Sequence, residues 1–236
     1  MAKHIGIVAV SPEGSALCYR QIFHIATKLV GPTGHPRVTL HNEPFEAYVE
    51  AVMRDDWHTV GDLLRRSAEV LAKAGAEFCI VPDNLMQHGI HLAEVGSPIP
   101  WLKMTDLVAE AISADRRRVV GLIGTRMVML GSTYQTILGM RGVQVLVPRE
   151  EEASLVDGII FRELVHGVVR AESQRRVLEV INHLSECGCE GVILGCTEAP
   201  LLVSAENSPI PVYDSVALLA TGAVRYAMGQ SEMPAK

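Results

Sequence analysis

The chain has 236 residues, 48% of them hydrophobic and 20% charged, which suits a globular protein with a substantial buried core. A net charge of −6 argues against a nucleic acid or an anionic membrane as partner, and no apolar run reaches the ~18 residues that cross a bilayer. Five cysteines (Cys18, Cys79, Cys187, Cys189, Cys196) form no disulfide framework and fit a reducing, cytoplasmic setting. Cys187-Gly188-Cys189 is a lone C-x-C with no second ligand pair, so no metal is expected there. The N-terminal apolar segment is too short for a secretory signal.

Short apolar strands alternate with helical patterns from end to end, as in βαβ units around a parallel sheet. The first strand is "HIGIVAV", the helix after it "SPEGSALCYRQIFHIATKL", and the second strand "RVTLHN". An amphipathic helix is expected over residues 59–74, then the strand "AEFCIVP", which runs into "DNLMQH". The pattern restarts at "RRVVGLIGT". It continues through "VQVLVP" and a helix near residues 174–186, and reaches the strand "CEGVILG".

The second run repeats the first. Ile5-Gly6-Ile7-Val8 answers Val120-Gly121-Leu122-Ile123 at an offset of 115 residues. Leu71, Gly75, Glu77 and Ile80 answer Leu184, Gly188, Glu190 and Ile193 at an offset of 113. Ser97-Pro98-Ile99-Pro100 recurs letter for letter as Ser208-Pro209-Ile210-Pro211. The fold class is therefore α/β, with two similar halves, each a mostly parallel sheet flanked by helices. The expected boundaries are residues 1–103 for the first half, with 214–236 packing back on it, and 104–213 for the second. On this overlay Asp83 falls on Cys196 and Asn84 on Thr197, each just past the C-terminal end of a strand, where open α/β sheets bind ligands. A pseudo-twofold axis between the halves is expected to bring the two positions to one active site.

The motifs "IGIVAVSPEGS", "FEAYVEAVMRDDW", "AGAEF", "GTRMVM", "VQVLVPREEE", "IIFRELVHG" and "GVILGCTEAPLL" cover nearly the whole chain. Together they resemble the aspartate/glutamate racemase superfamily, and within it the broad-substrate amino-acid racemase branch. The resemblance implies a cofactor-independent isomerase, a small carboxylate or amino-acid substrate, and a homodimer. It also implies two catalytic cysteines, one per half, that exchange a proton on opposite faces of the substrate Cα. The second matches Cys196. Where the first belongs to a Cys-Asn-Thr triplet, this chain has Asp83-Asn84-Leu85, and Cys79 lies upstream in the strand, where it is expected to point into the core.

Cys196 is expected to begin a helix whose N–H groups and dipole lower its pKa from the free-thiol value of ~8.5. Asp83 becomes a usable proton carrier at neutral pH only where burial raises its pKa from ~4, and its bland alternative is a helix cap. Asn84, Thr197, Ser11, Thr125 and Glu198 are the expected substrate contacts. The Asn84 amide and Thr197 hydroxyl suit a carboxylate or a developing enediolate, while Ser11 serves equally as a helix cap. Arg126 and His88 have structural readings of equal weight. The resemblance also implies an arginine or glutamine near Val52 and a lysine near Glu163-Leu164-Val165-His166-Gly167. Neither is present, which points to a substrate less polar than aspartate or glutamate. Five lysines outside any Gly-rich context give no pyridoxal phosphate site, and "GLIGTR" lacks the dinucleotide fingerprint. A single-cysteine decarboxylase, a cis-trans isomerase of the same superfamily, and a non-catalytic ligand-binding relative stay open as alternatives.

Overall fold

The computed structural model describes residues 2–233. They divide into two compact units, one running up to Leu107 and resuming at Val216, the other Val108–Ser215. Residue 1 of the expected first half and residues 234–236 of its returning segment lie outside the described residues.

In the first unit the order is β1 (Ile5–Ala9), α1 (Pro12–Val30), β2 (Val38–Asn42), α2 (Phe45–Met53), α3 (Trp57–Lys73) and β3 (Phe78–Ile80). A single 3₁₀ turn at Met86–His88 leads to α4 (Ile90–Glu94), and α5 (Met104–Ala114) carries the chain onward. The second unit contains β4 (Val119–Gly124), α6 (Arg126–Leu130), α7 (Thr133–Gly139), β5 (Gln144–Leu146), α8 (Glu150–Arg162) and α9 (Ala171–Glu186). It ends with β6 (Val192–Gly195), a 3₁₀ turn at Ala199–Leu201 and β7 (Val212–Asp214), after which α10 (Ser215–Ala227) returns to the first unit. Both sheets are parallel throughout, in the orders β2-β1-β3 and β5-β4-β6-β7. Among the described residues no helix is long and apolar enough to cross a membrane.

The apolar strands are buried because helices cover both faces of each sheet. Strand residues alternate in direction. Ile5, Ile7, Phe78 and Ile80 pack with Cys18 and Ile22 of α1 and Leu219 and Ala223 of α10. Val8, Cys79 and Val81 face the other way, onto Tyr48 of α2 and Leu64 and Leu71 of α3. In the second unit Ile123, Val192 and Leu194 pack against Val156 and Ile160 of α8 and Val177 and Ile181 of α9. Each such aliphatic side chain contributes about 1.5–3 kcal/mol by leaving water.

Two helix starts come earlier than the sequence pattern indicates. The helix α3 opens at Trp57 because the Asp56 carboxylate accepts the Thr59 N–H at 3.0 Å and its hydroxyl at 2.6 Å. The polar first turn of α9, from Ala171, carries no apolar periodicity to mark it.

The repeat holds down to single bonds. The Glu77 N–H donates to the His4 carbonyl at 2.9 Å, and the Glu190 N–H to the Val119 carbonyl at 2.8 Å. Gly75 and Gly188, with φ of 90° and 94°, follow α3 and α9 in a conformation that a side chain would strain. A Cβ on Gly6 would lie 3.2 Å from Leu71 Cδ1, and one on Gly121 would lie 2.9 Å from Leu184 Cδ1. Both glycines let the helix leucine settle on the central strand. The hydroxyls of Ser97 and Ser208 donate to the carbonyls of Ile99 and Ile210, each at 2.7 Å.

Candidate active site

The expected site residues fall into two groups, one in each unit, at the C-terminal ends of neighbouring strands. Ser11 follows β1 and Asp83-Asn84 follow β3, its sheet partner. Thr125 follows β4 and Cys196-Thr197-Glu198 follow β6, with Gly124 and Gly195 as the last pair in register.

Each group contains the same turn. The Asp83 Oδ1 accepts the N–H groups of Leu85 at 3.0 Å and Met86 at 3.1 Å. At the repeat offset, the N–H groups of Glu198 and Ala199 favour the charged form of the Cys196 sulfur, and the Ala199 N–H donates to the Cys196 carbonyl at 3.3 Å. Asp83 and Cys196 thus occupy equivalent positions in the two repeats, each followed by a 3₁₀ turn. The first turn is locked by Gln87, a buried residue that the sequence reading missed. Its amide donates to the carbonyls of Val81 and Asp83, each at 3.0 Å, and accepts the Met104 N–H at 3.1 Å. The signal was weak: one uncharged polar side chain in a turn, with no periodicity to show that it points inward. Asn84 beside it is also buried.

The structure corrects two expectations about Cys196. No helix begins there, since the chain makes only the 3₁₀ turn at Ala199–Leu201. Nor is the thiol's pKa lowered. Cys196 is 7% exposed and belongs to the buried apolar cluster that includes Ile123, Val156, Ile160 and Val177. Burial pushes its pKa well above the ordinary thiol value, and the charge of Glu198 acts in the same direction. The two backbone N–H groups offset this only in part. The thiol donates to Glu198 Oε2 at 2.9 Å, and the Thr197 hydroxyl donates to the same oxygen at 2.6 Å. Thr197 and Glu198, expected as substrate contacts, are therefore engaged with each other and with the sulfur.

Ser11 caps α1, its hydroxyl accepting the Gly14 N–H at 3.3 Å. Thr125 opens α6, and its carbonyl accepts the N–H groups of Val128 and Met129, each at 3.0 Å. Arg126 is tied to α8: its guanidinium pairs with Glu150, and its backbone N–H donates to Asp157 at 2.7 Å. His88 lies edge-on to Trp57, with ring centroids 4.4 Å apart. Cys79 is a core residue with no exposed surface, and burial pushes its pKa up to about 12. Among the described residues no group of three or more potential ligands is placed to hold a metal ion.

A buried thiol and a partly buried carboxylate, each in a polar turn at a strand end, are groups that carry protons. Known proteins show what the chain as a whole is similar to. Glutamate racemase of Ectopseudomonas mendocina is 30% identical over 141 residues, which are 57% of this chain and 51% of that protein. The match thus spans about half the length of that relative. The crystal structure of a Yersinia pestis protein assigned to the Asp/Glu racemases superposes with a TM-score of 0.89 at 31% identity, covering 96% of this chain and 99% of that one. An aspartate racemase homologue from Pyrococcus horikoshii OT3 gives 0.87 at 26% identity, covering 97% and 100%. The model of the Asp/Glu/hydantoin racemase family matches residues 7–223, and with the shared fold this establishes that the chain belongs to that family.

Proposed function

We propose that this protein is a cofactor-independent isomerase that moves a proton at the carbon alpha to the carboxylate of a small amino acid or related acid. Cys196 carries the proton on one face of that carbon and Asp83 on the other. Asn84, Ser11 and Thr125 hold the substrate carboxylate and the negative charge that develops on it. The observation that carries this reading is the repeat itself, which sets Asp83 and Cys196 at equivalent places past β3 and β6, each followed by a 3₁₀ turn. Inversion at carbon needs two proton carriers in equivalent settings, and these are the two that the repeat pairs. Val52, packed against the core, and the lysine-free segment from Glu163 to Gly167 favour a substrate without a second carboxylate. The homodimer and the cytoplasmic location implied by the resemblance belong to the same proposal, and light scattering at twice the chain mass tests the first.

Incubating a panel of L- and D-amino acids in deuterated water, with the Cα signal followed by proton NMR, tests the reaction. Solvent deuterium is expected to enter at Cα, and Cys196→Ala is expected to abolish conversion of one enantiomer into the other. A panel with no exchange anywhere would overturn the racemase reading. One observation favours a second reading, the single-cysteine decarboxylase: Cys196 is held as a thiol able to deliver one proton to one face. Release of carbon dioxide from a disubstituted malonate, without exchange in amino acids, would select it.

A further inference from the structure

We propose that Glu198 is a positioning residue that shares a single proton with Cys196, so that the sulfur enters each cycle as a thiol and acts first as a proton donor. The proposal rests on the proton-transfer reading above and reassigns Glu198 from the substrate to the sulfur.

The geometry is local to one turn. The Cys196 thiol donates to Glu198 Oε2 at 2.9 Å, and Thr197 Oγ1 pins the same oxygen at 2.6 Å. Cys196 is buried in an apolar cluster drawn from several elements, with Ile123 from β4, Val156 and Ile160 from α8, Val177 from α9, and Leu202 beyond the 3₁₀ turn among its members. Glu198 is the charged group that bears on the thiol. In such surroundings a thiolate beside a carboxylate is costly, whereas a thiol hydrogen-bonded to one is stable.

The comparison between halves makes the arrangement specific. At the repeat offset the residue opposite Glu198 is Leu85, and that opposite Thr197 is Asn84. Each turn therefore holds one carboxylate, placed differently. In the first half it is the proton carrier itself, Asp83. In the second it sits two residues further on and grips the carrier.

The proton balance follows. The Asp83 carboxylate takes the Cα proton, and the C–H electron pair moves into the enediolate. That pair then forms a new C–H bond with the Cys196 proton as the S–H bond breaks. Asp83 is left protonated and Cys196 as a thiolate. Asp83 releases its proton to water, and the thiolate, destabilised by Glu198, takes one back.

Titration of the thiol by its ultraviolet thiolate absorbance, taken as the difference between the protein and its Cys196→Ala variant, tests the proposal without any substrate. The parent is expected to titrate with a midpoint above pH 9.0. Glu198→Gln is expected to lower that midpoint by about one unit, which means about tenfold more thiolate at neutral pH. An unchanged or raised midpoint in folded Glu198→Gln overturns the proposal. Should that variant fail to fold by circular dichroism, Thr197→Val decides. Releasing the Oε2 anchor should lower the midpoint in the same direction by a smaller amount, and no change overturns the proposal. A shifted midpoint with no Cα exchange would sink the reaction and leave the proton sharing intact. Exchange with no shift would do the reverse.

Discussion

In the proposed reaction Asp83 is the distinguishing residue, because its carboxylate stands where the resemblance calls for a thiol. Asp83→Asn keeps an oxygen for the Leu85 and Met86 N–H groups but removes the proton carrier. Cα exchange on the face it serves is expected to fall about 10²–10⁴-fold, the usual contribution of a general acid or base. Asp83→Cys puts sulfur in the same cradle and is expected to give exchange from both enantiomers. Deuterium incorporation rates measured separately from L- and D-substrate check both, and full activity in Asp83→Asn would rule Asp83 out as a carrier. The overlay of Asp83 on Cys196 was legible in the sequence because both residues close strands with a constant offset. The state of the thiol was not. It depends on burial in a cluster with Val156, Ile160 and Val177, which come from helices that no local pattern connects to Cys196. The grip of Glu198 was hidden for another reason: a side chain in an irregular turn has no periodicity to give its direction.

At the scale of elements, most of the motifs that carry the family resemblance prove to build the scaffold. Asp56 caps α3, and Gly75 lets the chain leave it. Glu152 accepts the Arg149 N–H at 3.1 Å at the start of α8, and Arg126 ties α6 to that helix. Glu163 receives the Ser173 hydroxyl at 2.6 Å. These were legible as motifs but not as structure, since capping and ion pairing need the partner's position. The central strands were legible outright, because near-continuous apolar runs mark strands buried on both faces. Gly6 shows how tightly they are packed. A Cβ there would meet the Phe78 carbonyl and Ala76 Cβ at 3.1 Å each, as well as Leu71. Gly6→Ala is expected to destabilise the fold by about 1–3 kcal/mol, the usual cost of overpacking. A urea titration with unchanged slope and lower midpoint would show it.

Across the whole molecule, buried thiols make stability depend on alkaline pH. Burial pushes Cys79 up to about 12 and Cys189 up to about 11, and Cys196 is raised as well. In the unfolded chain each ionises near ~8.5. The folded protein therefore binds more protons than the unfolded one above that pH, so this contribution is complete below it. It is lost as pH rises toward the folded values. Urea midpoints of the reduced protein are expected to hold steady between pH 7 and 8 and to fall progressively from about pH 9 to 11. Replacing Cys79 by Ala should flatten the slope.

The duplicated turn also bears on how such a protein diversifies. It holds a carboxylate at Asp83, whose oxygen accepts two backbone N–H groups, and a thiol at Cys196, each followed by a 3₁₀ turn. The identity of the acid is thus written in one side chain and its placement in the main chain, so a single substitution exchanges one without disturbing the other.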